Sequence, residues 1–151
     1  FVDGGPSAPT PSPAPAGGGG GGGGGGSDTL HIVLITSQKM NRNSFTQSKN
    51  GVFEVGIDGS GDLVVRQVVT SSVVWSLSQE VGPQINGEAL FMQNDGNLVL
   101  RGAPTSTQPN GPALWTSGTA GPLNSYQFAI YNSGMIAVIL MFEGNQIIWS
   151  G

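Results

Sequence analysis

The chain has 151 residues, five Lys/Arg against nine Asp/Glu for a net charge of -4, and no cysteine. Five scattered cations cannot supply the basic patch of a nucleic-acid binder, and without thiols there is no disulfide framework, thiolate nucleophile or thiolate metal site. No window reaches the roughly 18 apolar residues of a membrane span; the richest, Met135 to Phe142, is only strand length.

In chain order, residues 1–27 come first and are set apart by composition. Pro6, Pro9, Pro11, Pro13 and Pro15 alternate with Ser, Ala and Thr, and glycine then runs unbroken from Gly17 to Gly26. Proline at that density favours polyproline II and oligoglycine buries nothing, so this part reads as a tether. A second reading stands beside it: a glycine run, having no side chains, packs closely against another chain in an assembly. Ser7, Thr10 and Ser12 resemble an O-glycosylated stalk, and no Asn-x-Ser/Thr sequon occurs.

Residues 28–151 form the expected folded domain. Short apolar or alternating runs predict strands at Leu30 to Ile35, Gly51 to Ile57, Asp62 to Val69, Val73 to Leu77, Ala89 to Gln93 and Asn97 to Arg101. Four more follow at Ala113 to Ser117, Gln127 to Tyr131, Met135 to Met141 and Gln146 to Ser150. No stretch has helical periodicity. The fold class is all-β.

Three segments align with one another: Asp58-Gly59-Ser60-Gly61-Asp62-Leu63-Val64-Val65-Arg66, Gln93-Asn94-Asp95-Gly96-Asn97-Leu98-Val99-Leu100-Arg101 and Tyr131-Asn132-Ser133-Gly134-Met135-Ile136-Ala137-Val138-Ile139. Each precedes a tryptophan, in Val74-Trp75-Ser76, Leu114-Trp115-Thr116 and Ile148-Trp149-Ser150, the three lying 40 and 34 residues apart. Three units with one large anchor each predict a pseudo-threefold arrangement around a shared centre. Ser60-Gly61, Asp95-Gly96 and Ser133-Gly134 supply turns, so each unit is a hairpin. Alternation then sends Leu63 and Val65, Leu98 and Leu100, and Ile136 and Val138 inward. Val64 and Arg66, Val99 and Arg101, and Ala137 and Ile139 share the other face with the turn.

In the second unit this places Gln93, Asp95, Asn97 and Val99 around one shallow concavity. A carboxylate and two amides suit the vicinal hydroxyls of a neutral sugar, and Val99 suits a ring C–H patch. The competing reading is that Asn-Asp-Gly makes only a solvated turn. Arg66 and Arg101, at equal positions, read either as salt-bridged strand ends or as contacts to an acidic or extended sugar, and Arg101 also suits the role of a plug.

These residues resemble the bulb-type mannose-binding lectins of monocots, whose Gln-x-Asp-x-Asn-x-Val-x-Tyr motif repeats three times on a threefold β-prism. Phe91 to Leu100 fits that motif closely, and Ser27 to Leu30 with Ser48 to Phe53 is similar to the family's opening segment, so the likeness spans about residues 28–151. The resemblance implies a threefold pseudo-symmetric β-prism and a mannose-type site at Gln93, Asp95, Asn97 and Val99, with Arg101 standing where the family has Tyr. The first unit offers Asp58, Ser60, Asp62, Val64 and Arg66, and the third Tyr131, Ser133, Met135, Ala137 and Ile139, so at most one conventional pocket is expected. The family's frequent disulfide is missing.

Other chemistry finds little support. Asp58-Gly59-Ser60-Gly61-Asp62 has alternating oxygens but lacks the distant bidentate Glu of a calcium loop. His31 is the single histidine and has no partner nucleophile or ligand in view. No cofactor and no catalysis are expected. The run Ile136 to Phe142 outlasts strict alternation, which predicts contact with another subunit or a covering strand. Expected partners are glycans or glycoproteins, with self-association through the third repeat and the Gly-rich tail as the further possibility, and without nucleic acid or a membrane span. The expected setting is extracellular, at a cell surface, wall or filament, where the domain acts either as a lectin or as a structural subunit.

Overall fold

The computed structural model describes residues 28–83, 85–141 and 145–151. The reading of residues 1–27 as a tether and the place of Phe142 lie outside the described residues.

Among the described residues, twelve strands form three antiparallel four-stranded sheets. The first unit contributes β4 (Phe53–Ile57), β5 (Leu63–Gln67) and β6 (Val73–Ser76). The second contributes β7 (Ala89–Met92), β8 (Leu98–Arg101) and β9 (Ala113–Thr116), and the third β10 (Tyr126–Tyr131), β11 (Ile136–Leu140) and β12 (Gln146–Ser150). The fourth strand of every sheet comes from the segment before the first unit. β1 (Leu30–Ile35) pairs with β10, β2 (Lys39–Asn41) with β7 and β3 (Phe45–Gln47) with β4. One stretch of chain thus passes round the prism and gives each sheet its edge. β1 falls on an expected strand, whereas β2 and β3, three residues each, lie outside the expected strands.

The hairpin turns repeat closely. Gly61, Gly96 and Gly134 have φ of 89°, 89° and 90°, a region open to glycine at little cost, and each donates its N–H to the carbonyl three residues back. At Gly96 the turn is also packed: a Cβ there would stand 2.6 Å from the Tyr126 ring.

A bulge repeats as well. Register shifts fall between Val65 and Arg66, Leu100 and Arg101, and Val138 and Ile139. The extra residues on the opposing strand are Val74, Leu114 and Ile148, each just before its tryptophan. A bulge bends its strand and re-aims a side chain, and here it accompanies three indoles turned toward one centre. Trp149 lies edge-on to Trp115 at 5.4 Å and to Trp75 at 6.4 Å between ring centroids. Trp115 and Trp149 are buried and Trp75 is partly buried, its Nε1 donating to Glu80 Oε2 at 2.7 Å. Leu63, Val65, Leu98, Leu100, Ile136 and Val138 all join the same core, as alternation predicted.

Among the described residues one helical turn, α1 (Leu77–Val81), was not expected, and it takes Leu77 from the end of the expected strand Val73 to Leu77. Its N-cap Ser76 makes no side-chain capping bond. Asp62, from the first hairpin, substitutes: it accepts from Ser78 N at 3.0 Å and from Ser78 Oγ at 2.6 Å. The stabilising group lies outside the helix's own sequence, so local periodicity does not reveal it.

Candidate functional site

Each sheet has an outer face built from equivalent positions, and strand pairing fixes the correspondence. In the second sheet one cross-strand row is Lys39–Phe91–Val99 and the next is Asn41–Ala89–Arg101. The first sheet's rows are Phe45–Gly56–Val64 and Gln47–Glu54–Arg66. The third sheet's are Ile32–Ala129–Ala137 and Ile35–Gln127–Ile139.

Side chains fill the first face. Arg66 Nε bonds Glu54 Oε2 at 2.6 Å, and its guanidinium stacks 3.7 Å from the centre of the Phe45 ring. Phe45 in turn lies over Gly56, where a Cβ would come within 2.6 Å of the ring. Asp58, at the position of Gln93, is turned to its own loop and accepts from Ser60 N, Ser60 Oγ and Asp62 N. Partial burial alone would raise the Asp58 carboxyl, but the bonds from Ser60, Asp62 and Gly61 outweigh it and hold the group below the ordinary aspartate value. Arg66 is therefore the salt-bridged strand end that the sequence reading allowed for.

Apolar side chains close the third face. Ala129, Ala137 and Ile139 are fully buried beneath Leu30, Tyr131 and Met141. Burial, followed by the nearby Asp28 charge, raises the Tyr131 phenol above its ordinary value. Ser133 and Met135 stay in the turn, where Ser133 N donates to Asp28 Oδ1.

The second face differs from the first at four of these six positions and in a loop. Ala89 occupies the place of Glu54, leaving space opposite Arg101. The segment after Arg101, residues 102–112, is longer than its first-unit counterpart, residues 67–72. It is closed by Gly102 N donating to Pro112 O, and Arg101 Nη1 donates to Gly111 O at 3.0 Å. The loop therefore stands as a wall above the sheet, anchored by Arg101.

Between the turn and this loop lies an open pocket of about 300 Å³, lined by Ser37, Phe91, Gln93, Asp95, Arg101 and Asn110 among others. With its amide nitrogen toward Asp95 and its oxygen toward Arg101, Gln93 donates to Asp95 Oδ1 at 3.2 Å and accepts from Arg101 Nη2 at 3.1 Å. Asp95 Oδ1 also accepts from Asn97 N at 3.0 Å. These three side chains form one connected polar rim. The Arg101 guanidinium lies 5.6 Å from the centre of the Phe91 ring, and only 9% of the residue is exposed.

The structure places two of the five sequence-derived positions behind that rim. Asn97 is 6% exposed, and its Oδ1 accepts from Ser117 Oγ, Gly118 N and Thr119 N. It straps the segment after Trp115 to the hairpin, as Asp62 straps the segment after Trp75. Val99 is fully buried, in register with Phe91, which stands at the pocket surface. Gln93, Asp95 and Arg101 are thus brought together at the opening, while Asn97 and Val99 support them from beneath. Phe91, Ser37 and Asn110 were not among the predicted site residues. The available signal for Asn110 was the wider tryptophan spacing across the second unit, which marks an inserted loop. His31 is remote from this face, its Nδ1 2.7 Å from Gln47 O. Among the described residues no cluster of three or more His, Cys, Asp or Glu has the geometry to hold a metal ion.

No protein-family model matches the chain, and no curated protein matches its sequence. Solved structures do match. The chain is similar to a Marasmius oreades lectin at 22% identity and TM-score 0.63, over 82% of this chain and 90% of that one. It is similar to the monomeric monocot mannose-binding lectins of Gastrodia elata at 22% identity and TM-score 0.59, over 82% and 94%. A third match is the Polygonatum cyrtonema lectin complexed with monomannoside, at 15% identity and TM-score 0.54, over 70% and 86%. The architecture is the β-prism of the bulb-type lectins. Within that fold the outer face of the second sheet carries an open pocket.

Proposed function

We propose that the domain binds a neutral, mannose-type hexose without catalysis, through the outer face of the second sheet. The observation that carries this reading is the contrast among three equivalent faces as the described residues form them: Glu54, Arg66 and Phe45 fill the first, apolar side chains close the third, and the second presents polar groups around an opening. Gln93, Asp95 and Arg101 offer donors and acceptors to vicinal hydroxyls, and Phe91 offers an apolar surface to a ring C–H face. Asn97 and Val99 act as positioning residues. The lectins that share the fold, among them one complexed with monomannoside, favour the same ligand class.

One shallow site with a few hydrogen bonds should bind at about millimolar strength. Useful avidity then requires several domains displayed together, for which the Pro/Gly tail is a suitable spacer. Glycans of this kind are displayed outside cells, so the reading carries an extracellular setting with it. The test is calorimetric titration with methyl mannoside of the wild type, Asp95→Ala and Asp58→Ala. Binding lost in D95A and retained in D58A is the expected result; equal loss in both, or no loss in D95A, counts against the site.

A second reading, a subunit of an extracellular assembly, is favoured by the third sheet. Ile32, Ile35 and Ile147 are 39%, 46% and 38% exposed on or beside its apolar outer face. Self-association there leaves the second face open, so the two roles are compatible.

A further inference from the structure

The open face holds more space than one hexose needs. Beside the pocket at Gln93 lies a second cavity of about 410 Å³, bounded by Lys39, Asn41, Arg42, Glu88, Pro104 and Pro109. The two cavities share Phe91 and Asn110, so they adjoin along the sheet and under the same loop. Each falls within the range of about 300–1,000 Å³ usual for small-ligand sites. The second exists because Ala89, on its floor, leaves the place that Glu54 fills in the first sheet.

Charge is distributed unevenly along this groove. The chain has only five cations and carries a net charge of -4. Three of the five, Lys39, Arg42 and Arg101, line the two cavities, while Glu88 and Asp95 are the only carboxylates there among the described residues. Glu88 is engaged by Arg42 Nη1 at 2.6 Å, and the same guanidinium donates to Asn86 and to Gly59 O. Lys39 is exposed, its Nζ 5.7 Å from the centre of the Phe91 ring on the second cavity's side. No carboxylate among the described residues lies within ion-pair distance of it.

From this juxtaposition we infer that the groove binds an acidic oligosaccharide: a neutral hexose at Gln93, Asp95 and Arg101, followed by a sugar unit whose anionic group, carboxylate or sulfate, meets Lys39. The inference rests on the hexose reading above and extends it. Phe91, Pro104 and Pro109 give apolar surfaces for the C–H faces of the second unit, and Asn41 and Asn110 give amides for its hydroxyls. A surface ion pair is weak and is screened by salt, so the acidic group should act as a selector more than as an anchor.

Calorimetric titration of the full chain with four ligands tests this: methyl mannoside, a neutral dimannoside, a mannosyl-hexuronate and a mannosyl-hexose 6-sulfate. At least one acidic disaccharide should bind about three- to fivefold more tightly than the neutral one at low ionic strength, as an exposed ion pair allows. That preference should shrink with added salt and vanish in Lys39→Gln, with methyl mannoside affinity unchanged in K39Q. Preference for carboxylate or for sulfate alone identifies the anion. Equal binding of neutral and acidic disaccharides, or a preference that survives K39Q, overturns the inference and leaves the hexose site standing. Lys39-dependent binding of an acidic disaccharide without any binding of methyl mannoside supports the anionic subsite and sinks the hexose reading. No binding of any ligand overturns both.

Discussion

Replacing Trp149 with alanine removes the one ring that both other indoles touch. An indole buries about 200 Å², which at about 25 cal/mol/Å² corresponds to about 5 kcal/mol, an upper bound because the unfolded chain already shields part of that area. Two edge-on contacts add about 1 kcal/mol beyond area, and partial collapse of the cavity returns a comparable amount. W149A should therefore cost about 4 kcal/mol, inside the range of about 3–5 for buried Trp→Ala changes. Trp75 is only partly buried, meets one indole and bonds Glu80 near the surface, so W75A should cost about half as much, about 2 kcal/mol. Urea unfolding followed by far-UV circular dichroism measures both without relying on the rings being removed. A cost for W75A equal to or above that of W149A would refute the centre described here.

Asn97→Ala strips the acceptor from Ser117 Oγ, Gly118 N and Thr119 N and should cost about 2 kcal/mol; hydrogen exchange at Gly118 and Thr119 should quicken, and unchanged exchange contradicts the strap. Asp58 has a folded-state pKa below its unfolded value of 3.8, so its contribution is full above that value and is lost as pH falls through the folded pKa. The stability gap between wild type and Asp58→Asn should accordingly be constant near neutrality and close in strong acid; a gap that widens there has the wrong sign. Ala89→Glu places a carboxylate opposite Arg101 as Glu54 stands opposite Arg66, entering open space, so stability should change by no more than about 1 kcal/mol. Calorimetry should show A89E losing any preference for acidic disaccharides, and a retained preference would place the anionic subsite elsewhere.

The repeats were legible because they are local. Each turn carries its own glycine, and each tryptophan follows an apolar residue that becomes the extra residue of a bulge, so alignment of short segments recovers three hairpins and the inward set from Leu63 to Val138. Strand ends shifted for the same reason in reverse: Leu77 reads as the end of a strand but starts a helix that Asp62 supports from another element. Gln93, Asp95 and Arg101 were legible as a set through the parity of one strand. Alternation assigns a side chain to a face without saying what covers it, so the burial of Val99 and Asn97 was hidden. Phe91 shares the parity of Gln93 on its own strand, but Lys39 joins the neighbouring cavity only through pairing between β2 and β7, and the groove depends on the small side chain at Ala89; neither of the last two leaves a mark in a single segment.

The proposed function puts sugar on one outer face of three. The direct measurement is a backbone amide chemical-shift map of the whole chain titrated with methyl mannoside. Shifts are expected at Phe91, Gln93, Asp95, Arg101 and Asn110 that saturate together at about millimolar ligand, with the segments Asp58 to Arg66 and Tyr131 to Ile139 unmoved. Saturable shifts centred on either of those segments, or none at any site up to tens of millimolar, would contradict it.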